Sequence, residues 1–331
     1  MIRMRLKIIL LSIHFLASCG FVFGQNSNYF EYYSTVNQAE IFSYDGDFFT
    51  SDSLYKVAFK MVDRPFGQDY FLAAINASKM DDAAKTQSNL QNSFALGVEW
   101  KQVKGGSMYP FLKEKKLTKK LKKIYKKENE KYLQSLDSEL RKKIFLLVEK
   151  DQKMRSARNV KKGWQEQKTL LQEADEENFS EILEICKTNG FPGFRAVGEN
   201  LTSKYDVEDI SLLMRHFTED RLKELKPYID DAIANGDLYP WHYATAYDYS
   251  SMFKTTVDDL DEDGNHILII QQVYGTMAYH NDKGEMVIYN VENMENIDSL
   301  RTRIGLETLI DYAKKREWQL PSEGFYRKVF K

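Results

Sequence analysis

Apolar residues recur at helical spacing over most of this chain and give way to strand-like runs only in one late stretch. From Tyr29 to about Gly97 the pattern is helical, with small residues where helices would cross. Ala39, Phe42, Ser51, Tyr55 and Ala58 form one set, and Gly46 falls at the turn between two helices. A second, looser copy follows "RPFGQ" through Ala74, Ala77, "KMDD" and Leu90, at a period of roughly 34 residues. In the lysine-rich "FLKEKKLTKKLKKIYKKENEKYLQSL", Leu117, Leu121 and Ile124 mark one apolar stripe, and Leu133, Leu136, Leu140, Ile144 and Leu147 continue it. That spacing predicts a connecting helix with a solvated basic face, binding to an anionic surface being the rival reading.

The second half predicts further helices with recognisable ends. One around "NFSEILEICK" is stopped by Asn189, Gly190 and Pro192. Asp206 and Asp209 bracket the start of "ISLLMRHF" as an acidic capping box, and Thr218 can cap the helix carrying Leu222, Leu225, Ile229 and Ile233. Pro240 suits the first turn of "WHYATAYDYSSM". Then "HILIIQQVYG" and "MVIYNV" flank "HNDKGE", which predicts a β-hairpin at about residues 265–291. A helix over "IGLETLIDYAKKREW" closes the pattern. The small and aromatic positions of these two copies resemble tetratricopeptide-like helical hairpins, with Ser51 and Thr86 standing where alanines are usual, and a generic antiparallel helical bundle is the rival reading. The fold expected is therefore mainly α: tetratricopeptide-like hairpins over 25–110, then an α-rich domain over 111–331 carrying one β-hairpin. A repeat array of only two copies needs a partner surface to be stable.

Residues 1–24 are read as a leader and not as part of the fold. Arg3, Arg5 and Lys7 precede an apolar run from Ile8 to Phe23, as in a secretory signal peptide. Export to the periplasm or the extracellular space is expected. Val22 and Gly24 suit cleavage before Gln25. "LAS" before Cys19 resembles a lipobox, which would make a lipoprotein held on a membrane, but the apolar "GFVFG" after Cys19 favours the soluble form. Losing the three leader cations takes 47 basic residues to 44 against 49 acidic, a charge near −5, which argues against nucleic-acid partners. The same cut leaves Cys186 alone, excludes an internal disulfide, and marks that cysteine as a small buried hydrophobe.

Six motifs share an order and spacing: "DQKMR", "GFPGFRAVG", "MRHF", "AYDY", "QQVYGT" and "NIDSLRTRIGLETLIDYAK". In them, roughly residues 115–318 resemble a bacterial family catalogued as domain of unknown function 6624. The resemblance supplies positions and no mechanism. It implies that Asp151, Gln152 and Arg155, then Gly190, Pro192 and Gly198, then His216 and Asp248, and finally Gln272, Tyr274, Gly275 and Thr276 stand at the family's motif positions. The chain departs from the family at Phe191, where tryptophan is usual, at Tyr249, where an arginine follows the aspartate, and at Met277, where a glutamine is expected.

The chemistry leaves two function classes open. Asp151 and Arg155, four apart on a predicted helix, can pair with each other, or the arginine can clamp an anion. His216 beside an apolar stripe is either a hydrogen-bonded core edge or a base oriented by an aspartate. Asp259, Asp261 and Asp263 copy the first half of a calcium loop, but Ile270 stands where a bidentate Glu is needed; a solvated acidic turn and a low-affinity calcium site both fit. No phosphate-cradling loop, dinucleotide fingerprint or zinc spacing is present, and no cofactor is expected. The reading favoured is a non-enzymatic binding or scaffold module, with a protein or peptide partner engaged through the helical repeats. Its rival is a hydrolase-like or transferase-like enzyme whose pocket combines Asp151, Arg155, His216, Asp248 and the "QQVYGT" turn.

Overall fold

The structure is a computed structural model and describes residues 28–156, 164–199, 210–252, 267–268, 271–321 and 327–328. The leader with Cys19, the Asp206–Asp209 cap and the calcium candidates Asp259, Asp261 and Asp263 lie outside them. The described residues form fourteen helices and six short strands, so the fold is mainly α.

Two helical hairpins come first. α1 (Tyr29–Tyr44) and α2 (Phe48–Ala58) turn at Gly46, and α3 (Gly67–Lys79) and α4 (Ala83–Ala95) turn at Met80–Asp82. The side chains of Asp47 and Asp82 cap α2 and α4 by accepting from the amides of Thr50 and Lys85. Ala39 and Ala74, Ser51 and Thr86, and Tyr55 and Leu90 are each 35 residues apart. All six are buried. The two hairpins thus bury equivalent positions, with the small hydroxyl residues packing where alanine would.

α5 (Trp100–Gly105), α6 (Tyr109–Glu114) and α7 (Thr118–Ser135) close around a second core made by Phe71, Leu90, Phe94, Val103, Leu112 and Leu121. Lys119, Lys120, Lys122, Lys123, Lys126 and Lys127 are all exposed on α7. The expected single helix through Leu147 is broken. Leu136 turns extended, and Asp137 accepts from the Leu140 amide to start α8 (Ser138–Ser156). Leu133 falls off the stripe and is 47% exposed.

α9 (Trp164–Asn189), α10 (Ser211–Met214), α11 (Glu219–Ala234) and α12 (Pro240–Met252) follow, with Thr218 capping α11 as its sequence predicts. α10 stops after one turn, which leaves His216 in the turn beyond it and not on a helix. The strands are β1 (Ile267–Leu268), β2 (Gln271–Gln272), β3 (Ala278–His280), β4 (Met286–Ile288), β5 (Asn290–Val291) and β6 (Arg327–Lys328). The hairpin is real, but its first arm is β3. The "QQ" pair instead lies parallel to β5, and β1 pairs with β6. Strands of two or three residues take their register from tertiary contacts, which an apolar run cannot reveal. α13 (Ile297–Arg303) precedes α14 (Leu309–Arg316), where Thr308 caps the start and shortens the helix expected from Ile304.

The main core crosses the expected boundary at residue 110. It joins Tyr29, Tyr32, Tyr33 and Val36 of α1 to Ile182, Leu213, Leu225, Ile233, Tyr243 and Leu306. The second half therefore supplies the partner surface that a two-copy repeat lacks. The Tyr33 hydroxyl donates to the Ile233 carbonyl at 2.8 Å, and the Tyr29 hydroxyl to that of Arg64 at 3.0 Å. Gly236, at φ +67°, lies so close to α1 that a Cβ there would sit 1.9 Å from the Tyr29 ring. Gly236→Ala combines that clash with a left-handed backbone, and is expected to cost more than ~2 kcal/mol in urea denaturation.

Candidate functional site

The residues singled out in the sequence gather in two groups on either side of the step from residue 248 to 249 in α12. In the first, Asp151 and Arg155 share a face of α8, as their spacing predicts. The Asp151 carboxylate is 1% exposed, and Arg155 Nε donates to both its oxygens at 3.0 and 3.1 Å. Gln152 Nε2 donates to it at 2.9 Å and Asn178 of α9 at 3.5 Å, while Arg155 also pairs with Asp175 of α9. His216 Nε2 stands 3.7 Å from Asp151 Oδ2, buried and without a hydrogen-bond partner, and its ring meets that of Tyr249 edge-on. Burial and then the Arg155 charge push the His216 pKa down to about 4, against the pull of Asp151. Burial raises Asp175 to about 6 despite Arg155. At neutral pH the ring is neutral.

The second group is a turn wrapped around a buried carboxylate. Asp248 has no solvent exposure. Its Oδ1 accepts from the amides of Val273 and Tyr274 at 2.8 and 2.7 Å, and its Oδ2 from the amide and hydroxyl of Thr276 at 2.8 and 2.7 Å. Burial raises its pKa and these four donors pull it back. Gly275, at φ +72°, reverses the chain so that the amides point inward. Gln272 closes the turn, donating to the carbonyls of Met277 and Tyr289 at 3.0 and 2.9 Å and accepting from the Met277 amide at 2.8 Å. Arg301 of α13, fully buried, donates to the Tyr274 carbonyl and to that of Glu307 at 2.7 Å. The Gln272 side chain, the Val273, Tyr274 and Thr276 amides and the Thr276 hydroxyl are all engaged within the protein. The polar stretch is a cage for Asp248.

A third place, which sequence reasoning missed, is a cavity of about 400 Å³ at the seam between the hairpins and the second half. Val36, Asn37 and Glu40 of α1 line it, with Asp69 of α3, Tyr239 and Trp241 at the start of α12, Glu307, and Tyr312, Lys315 and Arg316 of α14. Lys315 Nζ lies 2.5 Å from Glu40 and 2.7 Å from Glu307. Asp69 is 3% exposed and accepts from the hydroxyls of Tyr32 and, at 2.9 Å, Tyr239. Burial, reinforced by the Glu40 charge, pushes its pKa up to about 7 against those two hydrogen bonds and Lys315. No local motif marks these residues, since they come from five separate stretches. The tyrosine run "YFEYYS" opening α1 was the available signal.

Cys186 is buried and burial pushes its thiol up to about 12, so it packs as a hydrophobe. Among the described residues no group of three or more His, Cys, Asp or Glu side chains is placed to hold a metal, and no helix is long and apolar enough to cross a membrane. Comparison with protein-family models, with curated proteins and with solved structures finds no match to this chain. The resemblance to the unknown-function family rests on its six motifs.

The two buried carboxylates should respond oppositely to amidation. Asp248→Asn turns an amino group toward backbone donors and is expected to lose at least ~2 kcal/mol in urea. Asp69 titrates near ~4 when unfolded and about 7 when folded. The folded state then holds the extra proton, so stability falls as pH rises between those values, by on the order of 4 kcal/mol in the limit. Asp69→Asn should match wild type in melts at pH 4 and exceed it at pH 8.

Proposed function

We propose that the chain is an exported, non-enzymatic binding module whose ligand occupies the seam cavity. The observation that carries this reading is the clustering of Asp69, Glu307 and Lys315, 3%, 8% and 16% exposed, around a space large enough for a small ligand or a peptide side chain. Desolvating such charges is costly, and an apolar seam would join the two halves more stably. Groups kept at a stability cost around a cavity mark binding sites. Export rests on the leader-like residues 1–24. A scaffold role for the repeats draws support from the outer face of the first hairpin, where Phe42, Tyr44, Phe49 and Val57 are exposed.

A second reading places an enzyme site at Asp151, Arg155 and His216, favoured by the opposed pKa displacements of His216 and Asp175. Against it, the Asp151 carboxylate is already engaged by Arg155 and Gln152, and Asp248 is enclosed by the 272–276 turn. General acid–base catalysis needs a titratable group within hydrogen-bond reach of the substrate.

One experiment separates the two readings: a thermal-shift screen of mixed small molecules and short peptides against wild type, Asn37→Trp and His216→Ala. Asn37 lines the cavity from a half-buried position, so tryptophan there fills it. The binding reading expects hits that vanish in Asn37→Trp and persist in His216→Ala. The reverse pattern moves the function to the Asp151 group.

A further inference from the structure

We infer that the seam cavity takes a protonated amine or guanidinium group, seated against Asp69 beside a wall of aromatic rings; this rests on the cavity being the binding site. Three carboxylates, Glu40, Asp69 and Glu307, line the space against two cations, Lys315 and Arg316. Lys315 is shared by Glu40 and Glu307. Arg316 lies over the rings of Trp241, Tyr312 and Trp318, at 5.6, 5.2 and 5.4 Å from their centroids.

That leaves Asp69 with two tyrosine hydroxyls as its hydrogen-bond donors. Neutral donors do not balance a buried carboxylate, and a cation brought in by a ligand does. An anionic ligand would meet three like charges, and a neutral one would leave Asp69 uncompensated. Tyr33, Tyr239, Trp241 and Tyr312 line the same space with aromatic rings, which already hold one cation, since Arg316 lies over Trp241 and Tyr312.

Asp69 is faced by Tyr32, Tyr33 and Glu40 of α1, Tyr55 of α2, Tyr239 ahead of α12 and Lys315 of α14. Glu40 opposes ionisation of Asp69 and Lys315 favours it. Affinity for a cation therefore rises as Asp69 ionises between pH 6 and pH 8. The cationic group has two sources, a free small amine or a lysine or arginine side chain of a peptide.

The test is isothermal titration of the full chain with agmatine, with an acetylated and amidated glycine-arginine-glycine peptide, and with glucose and glutarate as neutral and anionic controls. At least one cationic probe should bind, more tightly at pH 8 than at pH 6, and lose about tenfold or more in affinity with Asp69→Asn. Tighter agmatine assigns a free amine; a tighter peptide assigns a side chain. Unchanged cation affinity in Asp69→Asn overturns the inference. Glucose or glutarate binding that Asn37→Trp abolishes, with neither cationic probe binding, overturns the inference and leaves the cavity reading standing. No probe binding, together with screen hits that ignore Asn37→Trp, removes both.

Discussion

The structure depends on three tyrosines in the first turn and a half of α1. Tyr32 meets Tyr29 and Tyr33 edge to face, and all three bury their rings in a core that the second half largely supplies. Their hydroxyls reach in different directions, to Asp63 and Arg64, to Asp69, and to the carbonyl of Ile233. A tyrosine ring gives apolar area while its tip needs a partner, so three such tips fix the angle and depth of α1. Arg195 adds a bond of 2.5 Å from its guanidinium to the Tyr29 hydroxyl, tying the 190–199 turn to the same helix. Two helical hairpins that would be marginal alone become one face of a larger core.

Docking α1 also creates the cavity, because the helix carries both the tyrosines and, one or two turns on, Asn37 and Glu40. The polar groups of the molecule then divide by what they do. Asp248 has a donor for each lone-pair direction it uses, so its burial organises a turn that sequence alone makes look functional. Asp151 resembles it, held by arginine and amide donors. Asp69 differs: it is as deeply buried, yet only hydroxyls serve it, and its pKa rises to about 7.

Much of the fold was legible in the sequence because its signals are local. Asp47 and Asp82 before helices, Gly46 at a turn, Thr218 at a cap and the spacing of Ser51 and Thr86 all act within a few residues of where they are read. The break at Leu136 was hidden, since Leu133 and Leu136 keep helical spacing although Asp137 ends the helix from outside it. His216 read as helical because the apolar stripe before it continues past the one-turn α10. Asp151 with Arg155, and Asp248 with the "QQVYGT" turn, were legible as residues needing explanation. Their division into two groups was not, because it depends on which faces of α12 meet which partners. Asp69, in "GQDYF", looks like an ordinary acidic residue in a helix's first turn, and only the crossing of α1, α12 and α14 isolates it.

Docked by its tyrosines, α1 should make the hairpins and the second half one cooperative body with the cavity at its seam. Native-state hydrogen exchange across a urea series, comparing α1 with α12, is the decisive measurement. Buried amides of both helices should share one opening free energy and one urea dependence. Amides of α1 opening at lower free energy and with a smaller urea slope than those of α12 would contradict it, making the hairpins an appendage and the cavity a surface between loosely joined parts.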